Sequence, residues 1–225
     1  NFATIVDAVG EGRTIFHNVR SFLRYLLSSN VGEVLTVFFG ILFATALGLD
    51  GDGLIVPLTA TQILWINMLT DTGPALALGV DPLDRRVMHQ PPRAIGARVI
   101  DGRMRRGILL VGLTMAASTL FMIELKRPGG LIEGTADIDE ARTAAFTVLV
   151  LAQLFNCFSA RSDEVSAIHR WRSNPSLLAA VAFSFALQVA VVHAPPLNRA
   201  CAATPLTLGD GRLSAVRASA LLGVV

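Results

Sequence analysis

Long apolar runs, separated by short charged or Gly/Pro-rich stretches, make up most of the chain, and each run predicts a helix that crosses a membrane. The runs cover residues 19–49, 56–80, 107–125, 143–160 and 175–193. A further one, over residues 211–225, is too short to cross alone. Ahead of them, Ile5, Val9, Ile15, Phe16, Val19 and Phe22 recur at near-helical spacing among Asp7, Glu11, Arg13, Arg20 and Arg24. No proline separates this amphipathic stretch from the first run, so one helix is expected to serve as both stalk and span. Movement outside the membrane would then pass directly into it. Asp50-Gly51-Asp52-Gly53 predicts a tight turn between the first two spans. The expected fold is all-α and polytopic: a bundle of six transmembrane helices, the last incomplete, with an N-terminal cytoplasmic stalk.

Charge sets the expected orientation. Arg85, Arg86, Arg93, Arg98, Arg103, Arg105 and Arg106 crowd the loop over residues 81–106, whereas the Asp50–Gly53 turn has no Lys or Arg. The positive-inside rule therefore places the N-terminus, the stalk with Arg13, Arg20 and Arg24, and loop 81–106 in the cytoplasm. Arg161, Arg170 and Arg172 bring the chain inside again between the fourth and fifth spans, with Lys126, Arg127, Arg142 and Arg199 left outside. A mean hydropathy of +0.57, with 16% charged residues, agrees with an integral membrane protein in a lipid bilayer. No signal peptide is expected, because the first residues lack a basic start and a small-residue cleavage site. With no initiating Met, the chain reads as a piece of something longer. No nucleic-acid partner is expected, since the arginines flank membrane runs without interleaved aromatics.

Polar groups inside the apolar runs mark the candidate chemistry. An aspartate near the middle of a span costs roughly 2.5–3.5 kcal/mol on insertion scales, so Asp71 needs a reason to be there. Asn67, Thr70 and Asp71 are spaced i, i+3, i+4 and are expected to share a helical face. Gly73-Pro74 follows and is expected to break the helix and free backbone carbonyls at the same depth. The preceding span carries Asn30 and Glu33 at i, i+3, with Gly32 allowing another helix or an ion to come close. Hard oxygens beside a broken helix suit a cation site; the alternative is interhelical hydrogen bonding that holds a bundle together. Glu124 is expected at the outer interface, and the fourth span offers Gln153 and Asn156 at i, i+3. Cys157 and Cys201 form no metal motif and lie at different depths, and the four histidines are scattered. Phosphate-binding glycine loops and nucleophilic triads are absent from the sequence.

Several of these stretches resemble a known family. They are Asn1-Phe2-Ala3-Thr4-Ile5-Val6, Glu11-Gly12-Arg13, Arg24-Tyr25-Leu26, Ser28-Ser29-Asn30-Val31-Gly32-Glu33, Gln62-Ile63-Leu64-Trp65-Ile66-Asn67, Thr70-Asp71-Thr72-Gly73-Pro74-Ala75 and Pro91-Pro92-Arg93. Together they are similar to the P-type cation-transporting ATPases, in the branch of the sarcoplasmic/endoplasmic reticulum calcium pumps and their bacterial relatives. The likeness covers residues 1–100 and returns around residues 148–159.

The resemblance implies the C-terminal third of such a pump. Residues 1–18 would end the phosphorylation domain and form the stalk, and residues 19–225 would be the C-terminal transmembrane domain. It implies calcium as the transported ion, held by Asn30, Glu33, Asn67, Thr70 and Asp71, with Gln153 standing where the reticulum pumps have a glutamate. ATP and Mg²⁺ would act only through the actuator, nucleotide-binding and phosphorylation domains. Those domains, with helices one to four, are the expected partners, and this chain alone is not expected to hydrolyse ATP. The expected location is the plasma membrane. Alternatives are a Na⁺/K⁺ or Mn²⁺ pump, or a non-enzymatic membrane subunit or secondary carrier. Against the Na⁺/K⁺ branch, Gly32 stands before Glu33 where that branch has proline, and Asn67 where it has aspartate.

Overall fold

The computed structural model describes residues 1–45, 56–82, 88, 91, 96, 98–126, 137–161 and 174–206. Helix α1 (Phe2–Leu42) is continuous, capped by the Asn1 side chain, which accepts from the Ala3 N–H at 3.1 Å. Its 41 residues extend about 60 Å, roughly twice the thickness of a bilayer's hydrocarbon core. Stalk and first span are thus one rod. The second run is three pieces: α2 (Ala60–Trp65), a π-helical turn (Ile66–Thr70) and α3 (Thr72–Gly79). A reciprocal cap starts it, with Gln62 Oε1 accepting from the Thr59 N–H and Thr59 Oγ1 from the Gln62 N–H. Helices α4 (Gly102–Lys126), α5 (Ile138–Ser159) and α6 (Pro175–His193) follow, then the short α7 (Pro195–Ala200). Asp137 caps α5, and Asn174 caps α6 ahead of Pro175 in its first turn.

Four of these helices, α1, α4, α5 and α6, are long and apolar enough to cross a membrane. The second run is not one of them: it is broken into pieces, none of them 18 residues long. The expected turn at Asp50–Gly53, most of the arginine-rich loop and the incomplete sixth span lie outside the described residues. Helix α1 ends at Leu42 rather than at the expected Leu49, and α5 begins five residues earlier than its apolar run. Glu124, expected near the outer interface, lies two residues before the far end of α4 and is packed against its neighbours.

The helices alternate in direction. One end, here the basal end, gathers Asn18, Asp81, Asp101, Arg161 and Asn174; the far end gathers Gly40 with Pro57, and Thr143 with Thr204. Helix α5 lies at the centre, with Ala144, Ala145, Phe146, Val148, Leu149 and Val150 wholly inaccessible. Helices α1 and α4 cross at glycines. A Cβ on Gly112 would lie 2.5 Å from Val31 Cγ1, and one on Gly32 would lie 3.1 Å from Met115 Cβ. Close approach of this kind replaces the hydrophobic drive that lipid cannot supply. Gly32 therefore admits a helix.

Candidate cation site

The site begins with a proline. Pro74 has no N–H for the Thr70 carbonyl, and its ring disfavours a straight helix over the preceding turn. The chain accommodates this with the π turn, in which the Asp71 N–H reaches back five residues to Ile66 O at 3.0 Å. Ser184 on α6 supplies the missing donor, its Oγ bonding Thr70 O at 3.0 Å. The Asn67 carbonyl is taken by Thr72 Oγ1 at 3.2 Å. The helix is thus widened before Gly73-Pro74 rather than opened after it.

This turn faces α1 and α5. Glu33 is buried and receives Asn67 Nδ2 at 2.6 Å on Oε2 and Gln153 Nε2 at 2.8 Å on Oε1. Asp71 is buried, with Oδ1 accepting from Tyr25 OH at 2.8 Å and Oδ2 lacking any partner. Gln153 Oε1 is likewise buried and unpartnered. Thr70 Oγ1 bonds its own helix at Ile66 O, 2.9 Å away. Just basal to these groups, Asn156 Nδ2 donates to Ser28 Oγ at 2.7 Å. Unpaired buried polar atoms cost about 1–3 kcal/mol each, so Asp71 Oδ2 and the amide oxygen of Gln153, beside the Glu33 carboxylate, make a place that suits a cation. Among the described residues no three His, Cys, Asp or Glu side chains converge as a metal cluster. Amide, hydroxyl and carbonyl oxygens would have to complete a hard-cation shell, which is chemistry that Ca²⁺ accepts.

Glu33, Thr70, Asp71 and Gln153 come together as buried groups, and Asn67 reaches in from an exposed position. Asn30 does not join them. It is exposed, and its Nδ2 bonds Leu26 O at 2.7 Å, so the expected common face with Glu33 is not formed. Asn67 is exposed while Thr70 and Asp71 are buried, in a π turn that takes more residues per turn than the α-helix their spacing assumes. Sequence reasoning missed Tyr25 and Ser184. The signal for Tyr25 was slight: it is the chain's only tyrosine, set in an apolar run. Ser184, one of two serines in the fifth run, gave none.

A family model described as "Cation transporting ATPase, C-terminus" matches residues 55–225. The chain belongs to that family. The cation-transporting ATPase resemblance read from α1 and the π turn is thereby matched over a region that begins beyond α1. Among curated relatives of this cation-transporting ATPase region, a calcium-transporting ATPase of Bacillus subtilis is 37% identical over 95% of the chain. A reticulum-type calcium-transporting ATPase of Arabidopsis thaliana is 32% identical over 93%, and a type 2C calcium-transporting ATPase of mouse is 33% identical over 88%. The chain spans only 22%, 24% and 20% of those relatives' lengths.

Proposed function

We propose that this chain is the ion-binding membrane part of an ATP-driven pump that moves Ca²⁺ out of the cytosol. The observation that carries this is the pair of unpartnered buried oxygens, Asp71 Oδ2 and Gln153 Oε1, flanking Glu33 at the π turn. The names of the relatives support calcium as the ion. Glu33, Asn67, Thr70, Asp71 and Gln153 supply ligands, and the Asn67 and Gln153 amides, which now donate to Glu33, turn their oxygens toward the ion. Asn30 joins from the exposed side of α1, where Val34 and Phe38 also lie uncovered. The four helices that precede α1 in an intact pump cover this side. Residues 1–18 end the phosphorylation domain, and ATP and Mg²⁺ act in domains carried by the rest of the protein. The basal end is cytoplasmic and the membrane is the plasma membrane.

In a full-length pump with this chain as its C-terminal part, Ca²⁺ should support phosphorylation from ATP better than Na⁺ or Mn²⁺. Preference for either of the others would reassign the ion. Independence from every cation would leave a secondary carrier or accessory subunit as the better reading. Orientation has its own check: a cysteine placed at Asp52 should be labelled from outside, and one at Arg93 only from inside.

A further inference from the structure

A second polar cluster joins the same helices at the basal end, and no ion ligand belongs to it. Asp81, two residues past α3, takes Arg161 Nη2 at 2.7 Å on Oδ1 and Arg161 Nε at 2.9 Å on Oδ2. The pair is nearly inaccessible, with the two side chains 8% and 10% exposed. Asn174, the cap of α6, donates to Asp81 Oδ1 at 2.9 Å and to Ala77 O at 3.1 Å. Helix α1 holds both partners through their backbones. Asn18 Nδ2 donates to Asp81 O at 2.8 Å, while His17 Nε2 and Ser21 Oγ lie 3.1 and 3.3 Å from Arg161 O.

Each of the three segments that carry a buried acidic or amide group of the cation site is thus held by one knot, α1 mid-helix and the other two at their basal ends. Glu33 lies fifteen residues above Asn18 on α1, about 22 Å along a helix axis; Gln153 on α5 lies eight residues, about 12 Å, before Arg161, which is two residues past that helix. Asp71 heads α3, an eight-residue rod about 12 Å long that is pinned by Asp81 below and ends in the π turn above. A short rigid rod transmits the position of its lower end to its upper end. A bidentate Arg–carboxylate pair fixes both distance and angle, which a lysine, as a point charge, does not.

We propose that Asp81 and Arg161 are positioning residues for the cation site, setting the axial register of α1, α3 and α5 and with it the spacing of Glu33, Asp71 and Gln153. This rests on the calcium-pump reading above. The knot holds no ion and reaches the ligands only through the helices.

Partners that orient ligands typically change metal affinity 10–100-fold when lost, so Arg161→Lys and Asp81→Asn should each raise the half-activating Ca²⁺ concentration for phosphorylation from ATP about tenfold. Phosphorylation from inorganic phosphate, which requires empty sites, should stay at the parental level. Half-activating concentrations within twofold of the parent in both variants would overturn the proposal. Should Arg161→Lys and Asp81→Asn not accumulate, Ser21→Ala removes one bond to the knot and should shift the same constant by about threefold; no shift there overturns it too. If the unmutated pump forms no Ca²⁺-dependent phosphoenzyme, the calcium reading falls by itself. The knot is then judged by the distance between spin labels at the exposed positions Ile15 on α1 and Leu76 on α3, which Arg161→Lys should broaden. An unchanged distribution would overturn it.

Discussion

Two polar clusters bind the same helices together, and they differ in how far they are satisfied. At the basal knot both Asp81 carboxylate oxygens, the Asp81 carbonyl and the Arg161 carbonyl all have donors. At the π turn Asp71 Oδ2 and Gln153 Oε1 are buried with none. A satisfied buried network specifies geometry, while a half-satisfied one is a stability cost that persists where a ligand completes it. The difference is the one expected between a scaffold and the cation site proposed above, although each contains one or two carboxylates with little exposure. Charge alone would not have told them apart.

The sharpest way to break the comparison is to remove one carboxylate from each cluster. Asp71→Asn should abolish Ca²⁺-dependent phosphorylation from ATP in the full-length pump while leaving phosphorylation from inorganic phosphate and thermal stability intact. Asp81→Ala should instead lower stability, by about 1.5–3 kcal/mol, because the carboxylate that takes the Arg161 pair and the Asn174 amide is gone, and like Asp81→Asn it should shift rather than abolish the Ca²⁺ dependence. Equal thermal midpoints for these two variants would show that the clusters do not differ as described.

Smaller changes sharpen it. Tyr25→Phe removes the donor to Asp71 Oδ1 and leaves both carboxylate oxygens bare, so in a cation-free detergent preparation the thermal midpoint should fall by the equivalent of about 1.5–3 kcal/mol. Saturating Ca²⁺ should recover most of that loss, because the ion supplies the missing partner. Gln153→Ala should weaken calcium binding about fivefold, about 1 kcal/mol, and Gln153→Glu should keep or tighten it. Unchanged affinity in both would exclude α5 from the site.

The smallest effect belongs to Asp101, at the basal start of α4. The Met104 N–H, and after it Arg20, hold its carboxyl below the ordinary carboxylate range. A lowered folded-state pKa contributes stability above the ordinary value of about 4, and that contribution is lost as pH falls through the lowered one. Asp101→Asn should therefore leave the thermal midpoint nearly unchanged at neutral pH and flatten its decline below about pH 4. A loss at neutral pH as large as that of Tyr25→Phe would mean that this half-buried pair supports the bundle as the knot does.

The sequence by itself determined the number and order of the apolar runs, the range of the fifth span as residues 175–193, the continuity of stalk and first span, and the polar residues exceptional at membrane depth. Those follow from composition and periodicity, which act within a single helix. Only the tertiary structure decided which way those polar groups turn. The π turn shifted the helical phase between Asn67 and Asp71, a change that periodicity assumes away. Asn30 faces out and Glu33 faces in because α4 packs on Gly32 and α5 brings Gln153 to Glu33 from 120 residues away. Tyr25 on Asp71, Ser184 on Thr70 and the Asp81–Arg161 knot are likewise pairings between distant helices. A residue's type states what bond it can make, and only the packing of its neighbours states whether that bond is made or left open.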